Sequence, residues 1–304
     1  MKVKKPKLSK QKTYSITQFR KDYPNEKACL EKLFQVKYAK LGGCPRCGVV
    51  KAEFRRILTR PCYQCVECGY QLHPMAGTVF AKTRTPLILW FYAIFLYTVT
   101  RNGVAAKELQ RQLKITYKTA HRMSHQIRKL MLSNSSDKLT GLVILDETFI
   151  GGLEKNKHKH KRKKIVGHSG KVGVFGMLDD KGHIVAIVLD GEPSGEVLKP
   201  IIRNNVHKDS IIISDGFGGY SGLKKEFKDH QIVNHEKEIY VNESGYTTNP
   251  LEAHWSLLKR MIKGTHIHVS RKHLPKYIAE NIFRYENRVR PEEMFELILQ
   301  RFVA

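Results

Sequence analysis

The sequence predicts an α/β protein, a mixed sheet with flanking helices, preceded by a cysteine module and a helical region. Three observations carry this reading. Two CxxC pairs occur before residue 70. Apolar residues then recur at helical spacing as far as residue 131. From residue 140 the pattern turns to strands, and two of these deliver an aspartate.

Composition sets the outer bounds. The 304 residues hold 54 Lys and Arg against 28 Asp and Glu, a formal charge of +26, with 41% hydrophobic residues. That is enough apolar content for a core, so the chain is not a disordered polycation, and the polyanion that suits such a charge is nucleic acid. The opening "MKVKKPKLSKQK" carries six lysines and no signal-peptide core. The apolar run "LILWFYAIFLYTV", residues 87–99, is too short to span a bilayer and reads as a buried helix. A cytosolic location is expected.

The cysteine module comes first. Cys44 and Cys47 lie in "CPRCG"; Cys65 and Cys68 lie in "CYQCVECG". Four thiolates at this spacing suit one structural Zn²⁺ with no open coordination position. Cys62 offers a competing 62/65 pair, but Gly48 follows Cys47 as Gly69 follows Cys68, which favours 65/68. Cys29 reads as an ordinary helix residue.

The helical region follows. Val104, Leu109 and Leu113 form one stripe; Ala120, Met123, Ile127 and Leu130 form another, with Thr116 as N-cap of the second helix. Two helices joined by "KITYKT" look like a helix-turn-helix whose recognition helix runs from Tyr117 to Arg128. Lys118, His121 and Arg122 would then face DNA. The alternative is two core helices with a solvated basic face.

The strands come last. "GLVILDETFIGG" places Asp146 and Glu147 at what reads as a strand end, and alternation sends the two to opposite faces without saying which points inward. "VGVFGMLDDKGHIVAIVLDG" reads as a hairpin turning at Asp179–Gly182, with Asp179 and Asp180 as turn residues and Asp190 in a loop. Ile211–Ile213 form a buried strand that ends on Ser214 and Asp215. In "TNPLEAHWSLLKRMIKG", Leu251, Trp255, Leu258 and Ile262 make an apolar stripe. Asn249 reads as the cap before Pro250, and Glu252 and Lys259 share nearly one face.

In this order, "CPRCG", "CVECG", "GTVF", "LDETFIGG", "SDGFGGYSGL" and "NPLEAHWSLLKRMIKGTHIHVSRKHLPKYIAENIFRYENR" resemble the ISXO-type insertion-sequence transposases of the IS1595 family, from about residue 20 onward. The resemblance implies an RNase H-like DDE core whose acidic triad binds two Mg²⁺ (or Mn²⁺) ions. Asp146, Asp215 and Glu252 match the triad, and Lys259 matches the lysine that follows it. The third position varies in the family, so Asn249 stands as an alternative to Glu252. The implied activity is cleavage at terminal inverted repeats and strand transfer into target DNA, by a homo-oligomer in the bacterial nucleoid.

The run "KNKHKHKRKK", residues 155–164, holds seven Lys or Arg. It reads as a phosphate-seeking loop in which Lys161, Arg162, Lys163 and Lys164 meet DNA, with Arg260 joining Lys259; metal binding by His158 and His160 is the weaker reading. The expected organisation is a basic flexible N-terminus (1–20), zinc ribbon with a preceding helix (21–80), helix-turn-helix-like region (81–135), catalytic domain (140–290) and C-terminal helix (291–304). The helix through Tyr277, Ile278, Ile282 and Phe283 should cover the sheet. Three rivals remain at this level: a zinc-ribbon and helix-turn-helix DNA-binding regulator, a nuclease that cuts without joining, and a decayed or domesticated copy, against which the intact triad argues.

Overall fold

A computed structural model of the chain describes residues 13–132, 137–152, 158–161, 170–233 and 241–303. Packing divides it into two units. One comprises Ser9–Met131 with Arg290–Ala304, and the other runs from Leu132 to Val289.

The first unit opens with α1 (Ile16–Asp22) and α2 (Glu26–Tyr38), N-capped by Ser15 and Asn25. A basic flexible N-terminus (1–20) was expected; residues 1–12 lie outside the described residues, but from Ile16 the chain is helical. Phe19 is buried with its ring against Phe95 and Phe295, which holds the segment helical. Three short strands, β1 (Phe54–Arg56), β2 (Tyr63–Cys65) and β3 (Gln71–Leu72), form an antiparallel sheet in that order. Helix α3 (Leu87–Val99) coincides with the apolar run, and Trp90, Phe91, Ile94 and Tyr97 are wholly buried.

Next, α4 (Ala106–Leu113) ends on Lys114 in the left-handed region (φ 52°), and α5 (Tyr117–Leu130) starts at the expected cap, Thr116. Not all of α5 can read DNA. Arg128 is 1% exposed, its guanidinium 5.3 Å from the Tyr97 ring centroid, and Ser124 and His125 are buried too. Arg128 is therefore a core residue, and the exposed basic side chains of α5 are Lys118, Arg122 and Lys129.

The second unit is a five-stranded sheet in the order β6-β5-β4-β7-β8. Its strands are β4 (Leu142–Ile150), β5 (Val172–Asp179), β6 (Ile184–Val188), β7 (Ile211–Ser214) and β8 (Asp229–Ile232). The pairs β4–β5 and β5–β6 are antiparallel, whereas β4–β7 and β7–β8 are parallel. The connection from β6 to β7 runs through α6 (Gly195–Asn205) and crosses to the far side of β4. This is the mixed sheet of the RNase H-like fold.

The β5–β6 hairpin turns where the sequence placed it. The buried Asp179 accepts from the backbone N–H groups of Lys181 (3.0 Å) and His183 (2.8 Å). Asp190, in the loop after β6, pairs with Arg271 at 2.6 Å.

Each face of the sheet has its own core. Val143, Leu145, Phe175 and Met177 pack on α6 and on Tyr220 and Leu223. Ile144, Val174, Leu178 and Ile213 pack on α7 (Asn249–Arg260) and α8 (Leu274–Glu286). Helix α8 thus covers the sheet as its periodicity foretold. The last helix, α9 (Met294–Gln300), belongs instead to the first unit, where Phe295 meets Phe19, Tyr23 and Phe91. No described helix is long and apolar enough to cross a membrane.

Candidate active site and metal centre

The acidic site lies where the sheet changes from antiparallel to parallel. Asp146 is not at the end of β4 but at its middle, opposite Gly176 of β5. It is terminal only with respect to β7, because parallel pairing stops at Ile144↔Ile213. Asp215 follows directly on the last residue of β7, and the β4–β7 register carried on two residues would set it level with Asp146. Ligands sit at such switch points in α/β sheets.

Asp146 shares a face with Ile144, under α7, whereas Glu147 points to the α6 side. Helix α7 supplies the third acid. Thr248 precedes its first residue and its hydroxyl donates to Glu252 at 2.8 Å; the expected cap, Asn249, is instead the first helical residue and is exposed. The charge of Glu252 reaches Asp146. Burial, then Asp215, then Glu252 raise the Asp146 carboxyl from 3.8 to about 7. Like charges in a partly dry site are a chemistry that suits a divalent cation, although among the described residues only the cysteines lie close enough together to form a ready ion site.

Two features outside the sequence reading hold Asp146. The Trp255 indole N–H donates to its Oδ2 at 3.0 Å. Gly176 makes room for that indole, since a Cβ there would stand 2.3 Å from Trp255 Cζ2. Trp255 was legible only as a member of an apolar stripe. The signal for more was its spacing: three residues after Glu252, it reaches the same side of the helix.

On the other face, Glu147 is raised to about 7 by burial, offset in part by the Tyr220 hydroxyl and reinforced by Asp215 and Asp146. Its Oε1 and the Tyr220 Oη both lack a hydrogen-bond partner at ordinary distance. His254, fully buried between Trp255 and Tyr285, is lowered to about 4 by burial and then by Arg288.

The cysteines close into a compact group. The Sγ atoms of Cys44, Cys47, Cys65 and Cys68 all lie within 4.8 Å of one another, with Cys44–Cys68 at 3.5 Å and Cys47–Cys65 at 4.0 Å. Zn–S bonds of about 2.3 Å in a tetrahedron set the sulfurs about 3.8 Å apart, so the group fits zinc. Both knuckles turn alike. Gly48 N donates to Cys44 O and Gly69 N to Cys65 O, the glycines at φ 70° and 71°. Cys62 stays outside the group, buried with its Sγ 3.9 Å from Gln71 Oε1. Cys29 is buried in α2.

The expected DNA-facing residues are scattered over both units. Lys118 and Arg122 are exposed on α5, and His121 is half-buried with Nε2 3.1 Å from that of His125. Lys259 and Arg260 are exposed on α7. Lys161 closes a short 3-10 turn, Lys159–Lys161, on which His158 and His160 are exposed. Arg162, Lys163 and Lys164 lie outside the described residues.

Residues 138–286 match the ISXO2-like transposase domain, a DDE transposase domain of the IS1595 family, and residues 24–71 match the transposase zinc-ribbon domain of that family. Comparison with curated proteins finds no match. Among solved structures, a pre-cleavage Mos1 transpososome is similar at 10% identity and TM-score 0.27, over 66% of this chain and 75% of that one. A Mos1 transposase paired-end complex with the left transposon end gives 9% identity and TM-score 0.26, over 70% and 78%.

Two outcomes follow from these sites. Cys44→Ser or Cys68→Ser should lose the zinc equivalent measured by atomic absorption, whereas Cys62→Ser should keep it. The second concerns pH. A carboxyl raised on folding binds a proton in the folded state, so its contribution is full below about 4 and is lost as pH rises through about 7. Metal-free Asp146→Asn should therefore melt a few degrees above the wild type at pH 8, with the gap closing toward pH 5. An equal or lower midpoint at pH 8 would contradict the repulsion.

Proposed function

The chain belongs to the IS1595 family of DNA transposases, and on that premise we propose that it cleaves the ends of its insertion sequence and joins them to target DNA with two divalent ions, Mg²⁺ or Mn²⁺, at Asp146, Asp215 and Glu252. One observation carries the proposal. Asp146 on β4 is tied to α7 by the Trp255 indole N–H, α7 carries Glu252 held by Thr248, and Asp215 follows directly on the neighbouring strand β7. A regulator has no need of that expense, because burying like charges costs stability.

Bound there, divalent ions supply an activated attacking oxygen and stabilise the leaving one. The chain's own residues set the geometry. Trp255 engages one oxygen of Asp146 and fixes its orientation, which leaves the second oxygen for ligation. Thr248 holds Glu252 through Oε1 in the same way. Asp215 is fixed by the Phe217 N–H at 3.1 Å. Carboxylates locked in this manner need little reorganisation when ligands arrive. Asn249, one turn before Glu252 and solvent-exposed, is available to a second ion or to DNA, but it carries no charge to balance one.

DNA contacts fall to the exposed cations of each unit: Lys118 and Arg122 with His121 on α5 in the first, and Lys259 and Arg260 on α7 with the run ending in Lys161, Arg162, Lys163 and Lys164 in the second. The zinc ribbon and α4–α5 recognise the terminal repeats, and two copies of the chain pair the two ends. A nucleoid location follows from that binding.

The test uses labelled duplexes carrying the terminal inverted repeats that flank the gene, with Mg²⁺ or Mn²⁺. Nicking at the repeat end and joining to a second duplex are expected. Asp146→Asn, Asp215→Asn and Glu252→Gln should each lose at least about a hundredfold, the scale of removing one group that stabilises the transition state. Asn249→Ala should lose far less. Cutting without joining would demote the protein to a nuclease, and an Asn249→Ala loss equal to that of Glu252→Gln would reassign the third ligand.

A further inference from the structure

A cavity of about 480 Å³ opens along α7, past Lys259. Its walls are of two kinds. Phe149, Ile262 and Val269 are apolar; Lys171, Lys259 and Lys263 are cationic, and no acid lines it among the described residues. Lys259 lies seven residues beyond Glu252, roughly 10 Å along the helix axis, so the cavity is about one nucleotide step or two from the acidic site.

The backbone at its rim is abnormal. Helix α7 passes into a π-helical turn, Met261–His266, a form that recurs at functional sites. Ile267 follows at φ 64°, ψ −56°, and His268 N donates to His266 O at 2.6 Å. That is the rare positive-φ γ-turn, strained for any residue and more so for a β-branched one. The strain presents an isoleucine that is 83% exposed beside the cavity mouth. Folding alone gives no reason to hold a bare apolar side chain in a costly conformation.

We propose that this cavity receives one unstacked nucleotide of a DNA end, with Ile267 as the wedge that separates it from its neighbour. The base lies against Phe149, Ile262 and Val269, and its phosphate lies among Lys171, Lys259 and Lys263. Apolar wedges between base steps and pockets with aromatic or aliphatic walls are how proteins hold a nucleotide out of the stack. The volume is right for a ligand of this class. Withdrawing a nucleotide beside the cut bends the strand and carries its end toward the acids. The inference rests on the transposase reading and adds a site to it.

The experiment places 2-aminopurine, in turn, at each position flanking the cut on either strand of a terminal-repeat duplex, and follows binding by anisotropy in the same sample. Wild-type protein should raise the emission several-fold at one position only. Ile267→Gly, which relaxes the strained turn, should melt no lower than wild type and still bind duplex, yet lose most of the rise. An abasic residue at the responsive position should tighten wild-type binding several-fold and leave Ile267→Gly binding nearly unchanged. Full binding with flat emission at every position overturns the pocket and leaves the transposase reading standing. Failure to bind any terminal duplex overturns both.

Discussion

The repulsion between Asp146 and Asp215 is the constraint on which the catalytic unit is built. Both sit at the seam where an antiparallel pair meets a parallel one, level with each other when the β4–β7 register is carried on, and half removed from water. Without a cation, burial and mutual repulsion push a proton onto Asp146 near neutral pH. The surrounding residues maintain that arrangement. Gly176 gives up its side chain so that Trp255 can lie over β5, and Trp255 then spends its one N–H on Asp146. The register of β4 with β7 stops where the carboxylates begin, so no further ladder covers the site. Stability is lost here, which the proposed function explains as the cost of a site for divalent ions.

The rest of the chain answers a different electrostatic problem, holding a polyanion without aggregating on it. Positive charge is concentrated on exposed faces of α5 and α7 and in the run from residue 155, while the cores of both units remain apolar. The cysteine group lends rigidity to a ribbon whose three strands are too short to stand alone. The one arginine of α5 that left the surface, Arg128, shows how strictly position decides role. It lies on the buried stripe, so its charge is satisfied within the fold by Val104 O and the Tyr97 ring.

Much of this could be read from the sequence, because it was local. The cysteine pairs declared themselves by spacing and by the glycines behind them, and the apolar run became α3 residue for residue. The hairpin at Asp179 followed from turn chemistry, and Thr116 as a cap followed from its place between two stripes. What escaped was set by long-range pairing or by local geometry that departs from residue preference. Asp146 looked terminal because the run ended soon after it, yet pairing with β5 carries the strand on to Ile150. Trp255 looked like packing because a hydrogen bond to a residue 109 positions away leaves no mark in its neighbourhood. The start of α7 moved by one residue because Thr248 turns its hydroxyl to Glu252. The γ-turn at Ile267 had no sequence sign at all, since glycine is the residue expected there.

The measurement that bears most directly on the central claim uses the chain's two tryptophans. With Trp90→Phe in place, Trp255 alone reports, and it is bonded to Asp146. Titration with Mn²⁺, a paramagnetic quencher, should extinguish its emission saturably at pH 7.5, and Asp215→Asn in the same background should weaken that binding at least tenfold. Emission that ignores Mn²⁺, or quenching that Asp215→Asn leaves untouched, would mean that these carboxylates do not hold a metal together.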